Sequence, residues 1–235
     1  TQAGCPLKCS FCRTGTLGFS RNLTVREITG QVIEARRILE SEGGRLSNVV
    51  YMGMGEPLLN FENTVNSIII LMDDMMLNFS NRRITVSTAG IADKIVPLGE
   101  RSSVNLAVSL HAVNDEKRNE IMDINRKYPL EKLFAAVDAY PGHQRKRVVF
   151  EYIMLKGFND SAADAKELAK IANRLDAKVN LIAFNTFEGA KFEPTPMEDI
   201  LKFQEILISK NVTALLRKSR GSDELAACGQ LGKVF

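Results

Sequence analysis

The chain has 235 residues, with 31 basic against 28 acidic side chains and a net charge of +3 at pH 7. Apolar residues make up 45% and charged residues 25%, which excludes disordered, collagen-like and coiled-coil classes and any protein that binds nucleic acid by bulk charge alone. The longest strictly apolar run, residues 68–72, is far shorter than the roughly 18 residues of a membrane span, so we expect one cytoplasmic α/β domain without a secretory leader.

Helices and strands alternate along the chain. Thr24 and Glu27 fit a capping box, and the apolar spacing after them predicts a helix that ends at residues 43–44. Predicted strands follow at 48–52, 84–87, 105–110, 148–154, 178–182 and 212–216, and predicted helices at 61–76, 91–98, 130–139, after Ser161, and from Thr195 with Pro196 at the first helical position. Because such alternation builds a parallel sheet, the fold class is α/β, with helices outside and a packed apolar interior.

Polar and glycine residues follow most of the predicted strands. They occupy residues 53–57, 87–88, 109–111 and Asn185. In barrels of parallel strands, the loops after the strand C-termini build the functional site. Since these residues come from most of the strands rather than from one crevice, the sequence predicts a partial (βα)6 barrel with a C-terminal extension, not an open doubly wound sheet.

Cys5, Cys9 and Cys12 have the spacing of metal ligands, and Cys228 stands apart from them. Clustered thiols of this kind indicate a reducing compartment and metal chemistry rather than a disulfide framework. Structural zinc normally takes a fourth Cys or His close by, whereas three thiolates can hold a four-iron cluster with one iron open. The spacing favours the cluster, and structural zinc remains the alternative. Taken alone, Cys228 fits inert packing.

The cysteine loop, with Phe11 before its last Cys, resembles the signature of the radical S-adenosylmethionine (SAM) superfamily. Five further segments resemble the RlmN family of RNA adenine C2-methyltransferases along nearly the whole chain: residues 53–60, 82–88, 109–111, 125–129 and 226–231. The Cfr family, which methylates C8 of the same adenine, is the nearest alternative. Pro57 and the segment 217–221 favour RlmN. A peptide-modifying activase is less similar because it lacks a counterpart of Cys228.

The resemblance implies a role for each candidate site residue. Gly55 and Glu56 are expected to bind the methionine amino group of SAM, and Cys228 is expected to be the catalytic methyl carrier. A [4Fe–4S] cluster would be held by Cys5, Cys9 and Cys12, and the rest of SAM by Ser87, Ser109, Leu110, His111 and Asn185.

The implied enzyme is a 23S rRNA (adenine-C2)-methyltransferase that also modifies tRNA, passing a methyl-derived carbon from SAM through Cys228. A flavodoxin or ferredoxin would supply electrons to a monomer without membrane contact. Arg217, Lys218 and Arg220 are the basic side chains expected to meet RNA phosphates. Residues 1–235 would form a single catalytic domain, with the family's N-terminal accessory domain, first barrel strand and resolving Cys outside this sequence. A non-catalytic module that binds RNA or a partner is the alternative from another class.

Overall fold

The computed structural model describes residues 1–141, 148–217, 227 and 229–232. Its strands are β1 (Gln2–Gly4), β2 (Phe19–Asn22), β3 (Val49–Tyr51), β4 (Ile84–Thr88), β5 (Asn105–Ser109), β6 (Val148–Met154), β7 (Lys178–Ala183) and β8 (Ala214–Arg217). Its α-helices are α1 (Arg13–Thr16), α2 (Val25–Ser41), α3 (Phe61–Met72), α4 (Ala92–Ser102), α5 (Asp115–Ile121), α6 (Leu130–Asp138), α7 (Ala162–Arg174) and α8 (Met197–Ser209).

Strands β3 to β8 form one six-stranded sheet in sequence order, and every neighbouring pair is parallel. A parallel sheet with strands in chain order and helices between them is the arrangement of a partial barrel, so the predicted fold class is confirmed. The six predicted strands all form. Because the strands run the same way, their C-terminal ends meet at one rim.

The antiparallel hairpin of β1 and β2 was not predicted from the sequence. It encloses the cysteine loop, and Leu23 continues the contact by donating its amide to the carbonyl of Thr1. Strands of three and four residues carry too little periodicity to be recognised, and every residue of β2 is exposed. The hairpin therefore sets the position of the cysteine loop without an apolar pattern of its own.

The inner face of the sheet carries a layer of polar side chains among apolar ones, which differs from the packed apolar interior that we predicted. Outward residues such as Val86, Leu106 and Phe150 are completely buried in the core that the helices cover. The alternate positions face inward and carry mainly polar side chains: Thr85, Ser87, Asn105, Ser109, Glu151, Asn180 and Arg217. These strands therefore alternate between an apolar outer face and an inner face that combines polar residues with apolar ones such as Ile153 and Ile182.

The helix boundaries confirm most of the predicted caps. Thr24 and Glu27 form the predicted capping box, and Ser161 and Asp164 form a second. Pro196 is the N-cap of α8 rather than its first residue. Helix α3 ends earlier than predicted because Asp73 leaves the helix and its carboxylate accepts the amide of Met75 at 2.8 Å, which forms a turn. Within the described ranges, no helix is long and apolar enough to cross a membrane.

Candidate functional site

A cavity lies at the rim where the strands end. Its wall combines the cysteine loop, the loop after β3 and the last residues of several strands. Eight of the predicted site residues line it: Cys5, Cys9, Cys12, Gly55, Glu56, Ser87, Ser109 and His111. The rim therefore brings together most of the residues that the sequence predicted, as expected where strand C-termini converge.

Two predicted site residues do not line this cavity. Leu110 has its side chain in the main apolar core, and its amide donates to the carbonyl of Glu151 at 3.1 Å. Asn185 follows β7 and is not part of the cavity wall. Cys228 lies outside the described residues.

Main-chain hydrogen bonds hold the cysteine loop in place. The amide of Cys5 donates to the carbonyl oxygen of Gly18 at 2.9 Å, and the amide of Cys12 donates to the carbonyl oxygen of Cys9 at 3.1 Å. The amide of Ser10 reaches the carbonyl of Ile121 at the end of α5, 3.0 Å away. These contacts fix the loop at both ends and against the neighbouring helix, so all three thiols face one cavity.

The surroundings of the thiols fit an iron–sulfur cluster. Burial raises the pKa of Cys5 and raises that of Cys9 well above its ordinary value, and the neighbouring thiols add to both effects. Such thiols become ligands when a bound cation stabilises the thiolate. Across the described ranges, no three His, Cys, Asp or Glu side chains are arranged to hold a single metal ion. The donor set, three thiols on one cavity wall, fits a four-iron cluster with one open iron.

Glu56 is a buried carboxylate on the cavity wall. Its Oε2 accepts the amide of Ala89 at 2.6 Å, and its Oε1 accepts the amide of Leu58 at 3.0 Å. Burial raises the pKa of Glu56 to about 7, although these hydrogen bonds oppose the effect. Each carboxylate oxygen has two acceptor sites, so Glu56 can still accept hydrogen bonds from an ammonium group in the cavity.

Gly55 makes the close approach of the β3 loop possible. Its φ is +93°, and a Cβ there would lie 2.5 Å from the Cβ of Gln2. The side chain of Gln2 accepts the amide of Glu56 at 2.8 Å. Only glycine satisfies both the left-handed backbone and the short distance, so β1 and Glu56 pack directly together.

His111 is buried beside the cysteine loop. Its Nδ1 accepts the amide of Ile153 at 3.1 Å, and Phe11 packs edge-on against its ring with centroids 4.7 Å apart. Burial, with the nearby positive charge of Arg118, lowers the pKa of His111 to about 3. The ring is therefore neutral near pH 7 with its proton on Nε2, and it can offer a hydrogen bond but no positive charge.

Arg118 is a buried charged residue that supports the site and that the sequence reasoning missed. It is completely buried on α5 and donates to the carbonyls of Ala89 at 2.7 Å and Ser109 at 3.0 Å. It also donates to the carbonyl oxygen of Leu110 at 3.1 Å and to the side-chain oxygen of Asn125 at 2.7 Å. One guanidinium thus joins the loops after β4 and β5. Asn125, within a segment that resembles the RlmN family, was the available sequence signal.

The sequence analysis also did not predict Glu151 as a site residue. It lies on the inner face of β6, lines the cavity and is 3% exposed. Burial raises the pKa of its carboxyl group. Its sequence signal was a single acidic residue in the otherwise apolar stretch 148–154.

Comparison with known proteins assigns the family. The radical SAM superfamily matches residues 1–169. A curated relative from Desulfotalea psychrophila, named dual-specificity RNA methyltransferase RlmN, is 48% identical across 98% of this chain and 66% of its own length. Another of that name, from Ruthia magnifica subsp. Calyptogena magnifica, is 47% identical across 100% of this chain and 67% of its own length. The chain belongs to the RlmN family of radical SAM proteins. It spans about two thirds of the length of these relatives.

Solved structures share the fold of this chain. A radical SAM methyltransferase from Sphaerobacter thermophilus is 46% identical and superposes with a TM-score of 0.94, covering 97% of this chain and 67% of that chain. Streptococcus suis SuiB bound to S-adenosylmethionine has a TM-score of 0.69 over 93% of this chain and 49% of its own, at 14% identity, which shows a shared fold alone. The predicted cofactors, a [4Fe–4S] cluster and SAM, are confirmed by membership of this family.

In this RlmN-family chain, the described C-terminal residues contact α1, the short helix that directly follows the cysteine loop. The amide of Arg13 donates to the carbonyl oxygen of Gly229 at 2.8 Å. The hydroxyl of Thr14 donates to the carbonyl oxygen of Leu231 at 2.6 Å. The side chain of Gln230 donates to the carbonyl of Thr186 at 2.8 Å. Gly229 and Leu231 also line the cavity. The residues that follow Cys228 in sequence are therefore part of the site.

Proposed function

We propose that residues 1–235 form the catalytic domain of a radical SAM enzyme that methylates C2 of an adenine in 23S rRNA and in tRNA. The observation that carries this proposal is the contact between the C-terminal segment and the start of α1, directly after Cys12, through Gly229 and Arg13. It joins the proposed cluster ligands to the neighbour of the proposed methyl carrier, Cys228. The relatives' name, dual-specificity RNA methyltransferase, supports RNA as the substrate and two kinds of RNA.

In this proposal, Cys5, Cys9 and Cys12 would hold the cluster, and its open iron would leave a place for the methionine end of SAM. When bound, the cluster and SAM supply the one-electron chemistry that adenine C2, which is not nucleophilic, requires. Phe11 is buried on the cavity wall, packs against Cys9 and Cys12, and shields this part of the cavity from water.

The chain's own residues orient the cosubstrate. Glu56 accepts hydrogen bonds from the methionine ammonium, because it is a buried carboxylate with acceptor sites left on the cavity wall. Ser87 and Ser109 offer hydroxyl groups from adjacent strands, and His111 offers Nε2–H as a neutral donor. Leu110 and Asn185 stay in the proposal through the family resemblance alone, since neither lines the cavity.

Cys228 is proposed to receive a methyl group from one SAM molecule and to pass its carbon to the adenine ring. A thiolate is a good methyl acceptor, whereas an adenine carbon cannot displace a methyl group from a sulfonium directly. The positions of Gly229 and Leu231 on the cavity wall support this role for the residue that precedes them.

RNA binding through Arg217 receives no support from its geometry. The Arg217 guanidinium turns to the inside of the barrel, where Nη1 lies 2.6 Å from the sulfur of Met52 and 3.9 Å from the carboxylate of Glu151. Lys218 and Arg220 lie outside the described residues. They remain the basic side chains proposed to meet phosphate.

The test is a comparison of wild type with Cys228→Ala, both as full-length protein made in cells. Mass spectrometry should find one added methyl group on the wild-type peptide that contains Cys228, and nucleoside analysis should find 2-methyladenosine in both RNAs. Cys228→Ala should keep its iron and its SAM affinity but lose RNA methylation. An unmethylated peptide together with an active Ala variant would refute the carrier role, and 8-methyladenosine would assign the Cfr-like alternative instead.

A further inference from the structure

Glu151 occupies the centre of the polar layer inside the barrel. Its strand partners in register are Ser109 on β5 and Asn180 on β7, so the three side chains point inward at the same level. Glu151 and Ser109 both line the candidate cavity, in which the proposed function places SAM. This level is set back from the rim that carries Glu56.

One oxygen of the Glu151 carboxylate has no partner. Oε1 accepts a hydrogen bond from Nδ2 of Asn180 at 2.9 Å, which fixes the orientation of the group. Oε2 is buried without a hydrogen bond. Nη1 of Arg217 lies 3.9 Å from Oε2, close enough for attraction between charges but too far for a hydrogen bond.

The location of Oε2 separates it from the other buried side-chain atoms that lack a partner. Among the described residues, these atoms also include the hydroxyl oxygens of Thr1 and Ser10 and Oε1 of Gln230. None of those three residues lines the cavity, whereas Glu151 does. A buried acceptor without a partner is costly, so one that borders a ligand cavity is expected to receive its hydrogen bond from the ligand.

The surroundings of Oε2 favour a neutral donor. The guanidinium of Arg217 already balances the charge of Glu151, so a second cation there would be repelled. One level nearer the rim, the inward residues are Ile153 and Ile182, which are partners in register and line the cavity. An apolar level beside a polar one suits a nucleoside, with its flat base against the isoleucines and its hydroxyl groups against Glu151.

The distance between β4, whose end Glu56 contacts, and β6, which carries Glu151, agrees with a nucleoside in this position. Glu56 hydrogen-bonds to Ala89 at the end of β4, and Glu151 lies on β6, with β5 between them. Neighbouring strands lie about 4.8 Å apart, so these two strands are separated by roughly 10 Å. A ligand that spans them has an ammonium group at one end and hydroxyl groups several bonds away, as SAM does.

We infer that Oε2 of Glu151 accepts a hydrogen bond from a ribose hydroxyl of the adenosyl cosubstrate, beside the hydroxyl of Ser109. The inference rests on the proposed function, because it takes SAM as the ligand of this cavity. It makes Glu151 a residue that selects ribose over deoxyribose in the cosubstrate.

The first arm of the test varies the ligand and needs no variant. Isothermal titration calorimetry of the full-length protein with its cluster measures the affinity for S-adenosylhomocysteine and for its 2′-deoxy and 3′-deoxy analogues. At least one analogue should bind about tenfold more weakly or worse, the loss expected for a hydrogen bond to a charged acceptor. Equal affinities for all three ligands would overturn the inference.

The second arm varies the protein. In Glu151→Gln, Asn180 holds the amide oxygen, so the NH₂ group takes the place of Oε2 and the acceptor becomes a donor. A ribose hydroxyl can still accept a hydrogen bond from this NH₂ group, but a neutral hydrogen bond is weaker than one to a carboxylate, so this variant should bind S-adenosylhomocysteine more weakly than wild type and should discriminate less between it and the deoxy analogues. Glu34→Gln, at an exposed residue of α2 paired with Arg37, is the matched control and should behave as wild type.

The outcomes separate this inference from the proposed function. A Glu151→Gln variant that folds and still discriminates fully among the three ligands contradicts the role of Glu151. Binding that depends on Glu56 but not on Glu151 contradicts this inference alone. No measurable binding of S-adenosylhomocysteine by the wild type would contradict the proposed function as well.

Discussion

The carboxylate of Glu56 accepts the amide of Ala89 at 2.6 Å. Glu56 follows β3 and Ala89 follows β4, so this hydrogen bond joins the ends of two adjacent strands at the cavity. The same carboxylate is proposed to bind the cosubstrate. Variants of Glu56 must therefore separate a loss of binding from a loss of stability.

Replacing Glu56 with Ala is expected to weaken cosubstrate binding by about 1.5–3 kcal/mol, the range for a hydrogen bond to a charged group. Calorimetry with S-adenosylhomocysteine measures the affinity, and thermal unfolding without ligand measures the structural cost. Glu62→Ala removes an exposed carboxylate paired with Arg101 and serves as the control. Unchanged affinity in folded Glu56→Ala would leave Glu56 with a structural role only.

The raised pKa of Glu56 predicts a pH dependence of stability. In the folded chain this pKa is about 7, compared with an ordinary value of 4.5, so the folded state binds the proton more tightly. The stabilisation is present below about pH 4.5 and is lost as the pH rises to about 7. Between about pH 4.5 and 7, the free energy of unfolding of the cofactor-free wild type should fall by up to roughly 3 kcal/mol relative to that of Glu56→Gln. Urea denaturation at several pH values measures this, and parallel curves for the two proteins would contradict it.

Each of the variants Cys5→Ala, Cys9→Ala and Cys12→Ala is expected to lose most of its iron after anaerobic reconstitution. With only two thiolates left, a four-iron cluster has too few protein ligands. Cys228→Ala is the matched control and should keep its iron and sulfide. Stoichiometric zinc in an active sample prepared without oxygen would show that the cysteine loop holds a different metal.

Arg118→Met is expected to destabilise the fold by about 3 kcal/mol or more, because buried carbonyl oxygens lose a charged donor. The affected carbonyls include those of Ala89, Ser109 and Leu110. Arg36→Met removes an exposed guanidinium that pairs with Glu40 on α2 and should change stability by about 0.5 kcal/mol or less. Urea denaturation compares the two variants, and equal stabilities would mean that Arg118 is dispensable for the fold.

The sequence predicted features that depend on neighbouring residues. Capping boxes at Thr24 and Ser161 formed because each needs only a few consecutive residues. The six strands formed because their apolar runs are long enough to be recognised. Glycine and polar residues after the strands marked the rim, since parallel strands place those positions together.

Features that depend on distant partners could not be read from the sequence. The buried position of Arg118 requires carbonyls from two loops, and an arginine in a charged segment ordinarily indicates a solvated helix face. The inward direction of Arg217 depends on Glu151 and Met52, which come from different strands and loops. In both cases tertiary packing decides where the side chain lies.

The bond from Thr14 to Leu231 joins residues 217 positions apart, and this distance matters during protein synthesis. The ribosome produces the cysteine loop near the start of this sequence and the segment that covers it near the end. While the strands and helices between them are being made, the loop has no C-terminal cover. The cavity wall is therefore complete only after the C-terminal segment has packed against α1.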